Sequence, residues 1–163
     1  MLDFFKSKKE DDDPLVVAPM TGAAVSIMEI PDEVFSERLL GDGVAIIPDK
    51  GEVASPVNGT IIQVAETRHA FGIHSDDDLE ILVHIGVDTV GLRGKGFKIF
   101  VENGQKLKIG DRIAEVDIKF LEASGFSIHT AILITNMNEV KNFKSFTGPV
   151  EAGETKIMTY CKK

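Results

Sequence analysis

Two histidines, His69 and His84, are the residues of this chain whose surroundings point most directly to chemistry. Residues 66–74 and 79–90 are rich in Ile, Val and Phe, as β-strands are, and the Ser-Asp-Asp-Asp sequence at 75–78 supplies turn residues between them. We therefore predict one β-hairpin that carries both histidines. An imidazole can act as a nucleophile, a proton shuttle or a metal ligand near neutral pH, so a pair of them marks a candidate active site.

The predicted register of this hairpin follows from its turn. A loop of two or four residues places His69 directly opposite His84, and opposed residues project from the same face with Cβ atoms about 4.5–5.5 Å apart. Strand alternation then separates a core face from a histidine face. The core face comprises Ile81, Val83, Ile85 and Val87, and the histidine face comprises Leu82, His84, Gly86 and Asp88 with Thr67, His69, Phe71 and Ile73. A loop with an odd number of residues, or a bulge, would change this register.

Two neutral imidazoles in an apolar hollow are suited to three chemistries. In phosphoryl transfer, one ring nitrogen holds the phosphoryl group and the second histidine donates to its oxygens. In a zinc hydrolase, His69, His84 and Asp88 would be three metal ligands, with water as the fourth. In general acid–base catalysis, one imidazole moves a proton and the other orients the substrate. The zinc peptidases that use an H-x-x-x-D element also need an H-x-H pair, which this sequence lacks, so hydrolysis is the alternative hypothesis.

The remainder of the chain predicts an all-β fold, an antiparallel β-sandwich or barrel with duplicated β units and short helical turns. Short apolar runs alternate with Gly, Pro, Asn and Asp, which is typical of this class. Residues 16–25 and 52–62 are similar to each other, each with a strand, a Pro-containing turn and a second strand. Helical turns are expected at 32–39 and 118–124. Further strands are expected at 15–18, 23–30, 44–48, 59–65, 98–101, 112–116, 131–135 and 156–160.

Composition limits the class of protein. The 163 residues carry a net charge of -8, which argues against nucleic-acid binding and suits partners that present Lys or Arg. Cys161 is the one cysteine, so a disulfide framework is excluded and a reducing cytoplasm is expected. No segment approaches the roughly 18 apolar residues of a membrane span. We expect one domain at 15–163 after a flexible tail and acidic linker at 1–14, in which residues 1–9 make at most weak contact with a membrane surface.

The sequence around His84 resembles the signature of a known family, the glucose-type enzyme IIA component of the bacterial phosphoenolpyruvate-dependent sugar phosphotransferase system. The signature has three apolar residues, His, an apolar residue, Gly, an apolar residue, any residue, Thr and an apolar residue, and it matches residues 81–90. The family pattern begins with Gly where this chain has Asp78, which also suits a turn. Similar segments lie at 31–46, 55–61, 67–73, 94–98 and 134–139.

The resemblance implies a phosphotransferase component that works through a phosphohistidine intermediate. By match, His84 accepts a phosphoryl group from the phosphocarrier protein HPr and passes it to the cysteine of an enzyme IIB domain in an enzyme IIB/IIC sugar permease. His69 would stabilise the transferring group, Thr67 would orient His69, and a backbone carbonyl near Gly86 would fix the His84 tautomer. Transfer itself requires no cofactor and no metal.

Partner binding is also implied by the resemblance. We expect an apolar collar of Leu39, Leu40, Phe71 and Ile73, with Asp42 and Asp88 at its rim, to receive the basic faces of HPr and the enzyme IIB domain. A third interpretation is a regulatory module whose phosphorylation state is recognised by target proteins, and the same face would serve both roles. His74 and His129 lie outside the motif and are expected to be structural or solvent-facing.

Overall fold

A computed structural model of the protein describes residues 15–163. The tail and linker predicted for residues 1–14, including the membrane contact expected at 1–9, lie outside the described residues. Within the described part, antiparallel strands dominate and the α-helices are short, so the predicted all-β sandwich is confirmed. No helix in residues 15–163 combines the length and apolar character that crossing a bilayer requires.

The strands predicted from the sequence are all present, including β4 as the first strand of the second repeated unit, and three short or irregular ones were not predicted: β9, β12 and β13 as numbered here. The strands are β1 (Leu15–Val17), β2 (Gly22–Ser26), β3 (Asp42–Pro48), β4 (Glu52–Ala54), β5 (Gly59–Val64), β6 (Ala70–Ser75), β7 (Glu80–His84), β8 (Phe97–Ile99), β9 (Lys106–Leu107), β10 (Arg112–Val116), β11 (Thr130–Ile134), β12 (Val140–Ser145), β13 (Gly148–Val150) and β14 (Lys156–Lys162). The helices are α1 (Glu33–Ser36) and α2 (Ile118–Ala123), and 3-10 turns span Ile27–Glu29, Thr89–Leu92 and Met137–Glu139.

The strand expected at 23–30 ends earlier than predicted, because a capping side chain starts a helical turn. Ser26 Oγ accepts a hydrogen bond from the backbone N–H of Met28, at 3.2 Å, and the 3-10 turn Ile27–Glu29 follows. Asp32 acts in the same way for α1, where its carboxylate accepts from the N–H of Val34 at 2.9 Å. Both caps lie on the segment that later covers the candidate site.

The duplicated segments pack against each other. β1 and β2 flank one Pro-containing turn, and β4 and β5 flank the other. The N–H of Val17 donates to the carbonyl of Pro56 at 3.0 Å, and the N–H of Ala54 donates to the carbonyl of Pro19 at 2.8 Å. Each turn therefore satisfies the backbone of the other unit, which explains the repeat structurally.

The strands form one large sheet and two small ones, with the main core between them. The large sheet has the order β13-β2-β3-β11-β7-β6-β5-β9, and the small sheets have the orders β1-β14-β12 and β4-β10-β8. Alternate residues of the large sheet, among them Ile81, Val83 and Ile132, pack inward against residues of the small sheets such as Ile113 and Ile157. β7 lies near the middle of the large sheet, between β11 and β6.

The outer face of the large sheet carries a second apolar cluster. Ala131 and Leu133 of β11 belong to it, and Leu82 of β7 packs against it. The 3-10 turn Ile27–Glu29 and helix α1 cover this cluster with Ile27, Ile30 and Phe35. The central strands are therefore buried on both faces, and their two faces have different neighbours.

The hairpin of β6 and β7 forms as predicted, but its register differs by one residue. His84 pairs with Ala70, and Val83 pairs with Phe71. The loop contains three residues rather than two or four: the N–H of Ser75 donates to the carbonyl of Leu79 at 2.8 Å, and Asp78 has the left-handed φ of 64°. An odd loop length shifts each pairing, so the predicted opposition of His69 and His84 is wrong.

The shifted register also changes two face assignments. Phe71 and Ile73 were expected beside the histidines, but they are 1% and 0% exposed and belong to the main core. The outer face of β6 instead presents Ala70, Gly72 and His74, opposite His84, Leu82 and Glu80.

The positive φ of Asp78 predicts different effects for two substitutions at this position. Asp78→Val should lower the free energy of unfolding by about 1–2 kcal/mol, because a β-branched residue is disfavoured at positive φ. Asp78→Gly removes the same carboxylate, which accepts from His74 at the surface, but tolerates this φ and should stay within about 0.5 kcal/mol of the wild type. Urea unfolding followed by circular dichroism measures both. Equal losses in the two variants would contradict the conformational explanation.

Candidate active site

His84 lies at the end of β7 on the outer face of the large sheet. Its strand neighbours are Ala70 on β6 and Ala131 on β11. Ala70 is partly exposed and has only a methyl side chain, so the imidazole is accessible on the β6 side, whereas Ala131 is buried in the outer apolar cluster. Phe35 of α1 approaches from above, with its ring centroid 4.9 Å from that of His84 and an interplanar angle of 55°. The imidazole is therefore partly buried but open to a ligand.

A backbone hydrogen bond fixes the tautomer of His84. Nδ1 of His84 lies 2.9 Å from the carbonyl oxygen of Gly86, and because a carbonyl only accepts, Nδ1 carries the proton. Nε2 then has a free lone pair. Gly86 has φ +74°, and a Cβ added there would lie 2.5 Å from Thr89 Cγ2 and 2.9 Å from the carbonyl oxygen of Ser127. A side chain at position 86 would thus displace the carbonyl that positions His84.

His69 approaches His84 although the two residues are not paired in the sheet. The paired ladder ends at Ala70, and Arg68 has the left-handed φ of 61°, so strand alternation does not extend to His69. The N–H of Ile85 donates to the carbonyl of His69 at 2.7 Å and holds this segment against β7. The ring centroids of His69 and His84 are 4.8 Å apart with an interplanar angle of 81°. The sequence prediction that the two imidazoles meet is consistent with this geometry, for a different structural reason.

Thr67 lies within hydrogen-bond distance of His69. Thr67 Oγ1 and His69 Nδ1 are 2.6 Å apart. If the hydroxyl donates to Nδ1, the remaining proton of the neutral ring is on Nε2, where it can be donated to a ligand. The threonine thus occupies the position from which it can set the tautomer of His69.

Burial keeps both imidazoles neutral near pH 7. Burial lowers the pKa of His84 below its ordinary value of 6.5, and the Gly86 carbonyl, Asp32 and Asp88 oppose that effect only in part. Burial also lowers the pKa of His69, with a smaller contribution from the neighbouring His84. A neutral imidazole is the nucleophilic form, so this environment favours nucleophilic chemistry over charge pairing.

Apolar side chains are exposed on the elements that border the histidine pair. We call Val34, Leu39, Leu40, Ile62 and Val90 the apolar rim. Leu39 and Leu40, predicted to belong to a collar, are 68% and 44% exposed, whereas Phe71 and Ile73 of the predicted collar are core residues. The sequence analysis missed Val34, Ile62 and Val90. The signal for Ile62 is an apolar residue that follows the inward-facing Ile61 in a strand, whereas Val34 lies in helix α1, where strand alternation does not apply.

The two predicted rim carboxylates have local partners or local roles. Asp42 accepts from Arg38 Nε at 3.2 Å and from the N–H of Gly43 at 2.8 Å. Asp88 has φ 59° and precedes the 3-10 turn Thr89–Leu92 without a side-chain capping bond. Asp32 was not predicted as a site residue, although it contributes to the electrostatics of His84 and caps the helix that carries Phe35.

The zinc-hydrolase alternative is not supported by the arrangement of side chains. Among residues 15–163, no group of three or more His, Cys, Asp or Glu side chains is placed to hold a metal ion. The set of His69, His84 and Asp88 proposed as ligands therefore does not converge. The arrangement that is present, two adjacent neutral imidazoles with an open apolar surround, fits transfer of a group to a ring nitrogen.

The other two histidines are placed outside this pair. Nε2 of His74 lies 3.1 Å from a carboxylate oxygen of Asp78 near the tip of the hairpin, where the two side chains are 44% and 78% exposed. His129 precedes β11, and its Nδ1 lies 2.8 Å from Ser127 Oγ. His74 therefore fits the solvent-facing role predicted for it.

Comparison with known proteins agrees with this geometry. The model of the family described as phosphoenolpyruvate-dependent sugar phosphotransferase system, EIIA 1, matches residues 15–140. The glucose-specific EIIA component of the phosphotransferase system from Buchnera aphidicola (subsp. Acyrthosiphon pisum) is 43% identical over 157 residues, which cover 96% of this chain and 95% of the relative. The corresponding protein from Staphylococcus epidermidis is 40% identical over 156 residues, covering 95% of this chain and 94% of the relative.

A solved structure shows the same fold. The glucose permease IIA from Mycoplasma capricolum superimposes with a TM-score of 0.84 at 38% sequence identity, covering 90% of this chain and 96% of that one. The match of the family model to most of the chain, the identity to full-length relatives and the shared sandwich lead to one conclusion. The chain belongs to the EIIA 1 family of the phosphoenolpyruvate-dependent sugar phosphotransferase system.

Proposed function

We propose that this chain is a phosphocarrier that takes a phosphoryl group from phosphorylated HPr onto His84 and gives it to the cysteine of an enzyme IIB domain. The observation that carries the proposal is the contact of two neutral imidazoles, with ring centroids 4.8 Å apart and Nδ1 of His84 engaged by Gly86. This arrangement leaves one free nucleophilic nitrogen, Nε2 of His84, beside a second ring that can donate a hydrogen bond. The phosphocarrier domain in this proposal comprises residues 15–163.

The first step forms a bond between Nε2 of His84 and phosphorus. The lone pair on Nε2 attacks the phosphorus carried by HPr, the bond between phosphorus and HPr breaks, and its electron pair returns to HPr. The proton on Nδ1 remains in the hydrogen bond to the Gly86 carbonyl. Because the ring enters the reaction neutral, no proton has to leave Nε2 before the attack.

The second step reverses the roles of His84. The thiolate of the enzyme IIB cysteine attacks phosphorus, a sulfur–phosphorus bond forms, and the bond from Nε2 to phosphorus breaks. The electron pair returns to Nε2, so His84 regains the neutral form in which it began. No cofactor takes part in either step.

His69 and Thr67 stabilise the group in transfer in this proposal. The transition state spreads negative charge over the three equatorial oxygens of the phosphoryl group, and a positioned donor lowers its energy. Nε2–H of His69 is that donor if Thr67 Oγ1, 2.6 Å from Nδ1, supplies the proton of their shared hydrogen bond. His69 is only 9% exposed, so its ring is held in place by the surrounding protein before a partner binds.

The apolar rim receives both partners of this transfer. Its side chains are exposed around a reactive nitrogen, which is the arrangement of a protein interface with a buried centre. The net charge of -8 attracts partners with basic faces and accelerates their encounter. The names of the relatives, glucose-specific EIIA components, support glucose as the sugar carried by the permease. Regulatory target proteins that distinguish phosphorylated from unphosphorylated His84 would use the same face.

The assignment of His84 predicts loss of phosphate incorporation in one variant. His84→Ala should take up no phosphate from phosphorylated HPr, because no other ring nitrogen has the same open position and fixed tautomer. Incubation with radiolabelled phosphoenolpyruvate, enzyme I and HPr, followed by peptide mapping, measures uptake. His74→Ala is the matched control and should label fully. Full labelling of the His84→Ala variant would refute the assignment.

His69 should affect transfer more than phosphorylation or stability. We predict that His69→Ala still acquires phosphate on His84 but passes it to an enzyme IIB domain about 100-fold or more slowly, as expected when a transition-state donor is removed. Thr67→Val should have a smaller effect in the same direction, and Thr67→Ser should retain wild-type rates because its hydroxyl persists. Quenched-flow transfer assays measure the rates. A His69→Ala variant that transfers the phosphoryl group to enzyme IIB at the wild-type rate would contradict the proposed role of His69.

The pH dependence of the two imidazoles follows from the direction of their pKa shifts. Both pKa values lie below 6.5, so at pH 6.5 the folded protein should hold more than half of each ring in the neutral form. Below pH 6.5 the unfolded chain binds more protons than the folded chain, so stability should fall as the pH decreases toward the lowered pKa values. Imidazole ¹⁵N NMR titration of the folded protein, with a peptide of residues 80–88 as reference for His84, checks the sign. Titration of His84 at or above the peptide value would contradict it.

A further inference from the structure

A second hydroxyl–histidine pair lies beside His84 and has no part in the proposed transfer. Thr67 and His69 are separated by one residue, and their Oγ1 and Nδ1 atoms are 2.6 Å apart. Ser127 and His129 have the same spacing, and their Oγ and Nδ1 atoms are 2.8 Å apart. The first pair directly precedes β6 and the second directly precedes β11. These are the two strands on either side of β7, so the pairs flank His84 from opposite directions.

His129 lies on the face of the sheet that carries His84. Ile128 packs against the main core, and the side chain of Thr130 is fully buried. His129 lies between these two inward residues, and alternation directs it to the outer face with Ala131. Ala131 is the residue opposite His84 on β11, so His129 is its diagonal neighbour. Diagonal neighbours are about 7–8 Å apart, within reach of aromatic and long side chains.

Ser127 can direct the proton of His129 to Nε2. The N–H of His129 donates to Ser127 Oγ at 3.3 Å, and the same Oγ lies 2.8 Å from Nδ1 of His129. If the hydroxyl donates to Nδ1, as Thr67 would to His69, the neutral ring carries its own proton on Nε2. Within residues 15–163, no protein group forms a hydrogen bond with this Nε2, and His129 is partly exposed. In that tautomer His129 presents an unused N–H donor.

We propose that His129 is a third imidazole of the transfer site, and this inference rests on the function proposed above. Its Nε2–H donates a hydrogen bond to an oxygen of the phosphoryl group on or leaving His84 Nε2, on the side opposite His69. No bond forms or breaks at His129, and its ring stays neutral throughout. The chemical reason is that three equatorial oxygens carry the charge, while His69 supplies one donor. A donor on each side of His84 holds the group more symmetrically than one alone.

The experiment compares two variants of His129 that differ in donor capacity. His129→Leu removes the donor and should slow transfer from phosphorylated His84 to an enzyme IIB domain about tenfold. His129→Gln places an amide N–H near the position of Nε2 and should stay within about threefold of wild type. His74→Leu is the control, because His74 lies on the same face but pairs with Glu80, four residues along β7 from His84. The His74→Leu variant should transfer the phosphoryl group at the wild-type rate.

A spectroscopic readout separates a direct contact from a structural role. Phosphorylation of wild-type His84 should move the ¹⁵Nε2–H signal of His129, because its donor acquires a phosphoryl oxygen as acceptor, and should leave that of His74 in place. The inference is overturned if phosphorylation leaves the ¹⁵Nε2–H signal of His129 unchanged. It is also overturned if His129→Leu transfers the phosphoryl group at a rate within twofold of wild type. If His129→Leu unfolds in a thermal scan, the wild-type spectrum alone decides.

The result also distinguishes this inference from the function on which it rests. If wild-type His84 takes no phosphate, both fail. If His84 is phosphorylated and His69→Ala slows transfer while the His129 variants do not, only the role of His129 fails.

Discussion

The hydrogen bond between Nδ1 of His84 and the carbonyl of Gly86 is the interaction on which the candidate site depends. It settles which ring nitrogen is free, and it requires a backbone conformation that glycine adopts readily. The surrounding contacts, from the 3-10 turn Thr89–Leu92 to the segment at Ser127, hold that carbonyl in position. The loop at Gly86 thus determines which ring nitrogen of His84 keeps a free lone pair.

The sandwich separates stability from reactivity by using the two faces of one sheet. Along β7, Ile81 and Val83 point inward and belong to the main core. Leu82 and His84, which alternate with them, lie on the outer face. The covering helix α1 buries Phe35 against the outer cluster and brings its ring to His84. His84 is therefore anchored by a strand that is packed on both sides, which limits its motion without closing the site.

The sequence predicted the strands, the hairpin and the identity of the histidine pair, because these depend on local composition and on a motif of ten residues. It did not predict the register, because the turn residues at 75–78 are compatible with a loop of two, three or four residues. The loop has three residues, with Asp78 at positive φ. The assignment of Phe71 to the site failed for that reason. Phe35 was missed because its contact with His84 depends on how a short capped helix packs across the sheet, which periodicity within either segment does not specify.

Ala70, which lies opposite His84 on β6, has a consequence for how such a site can change. Its methyl group is partly exposed beside the imidazole and belongs to neither apolar cluster, whereas Ala131 on the other side is buried in the outer cluster. A larger side chain at position 70 would narrow access to the ring with little effect on the folded framework, but one at position 131 would overpack the cluster that Ala131 shares with Phe35. Access to this face can therefore evolve through one small position, independently of the two histidines and of the residues that maintain the fold.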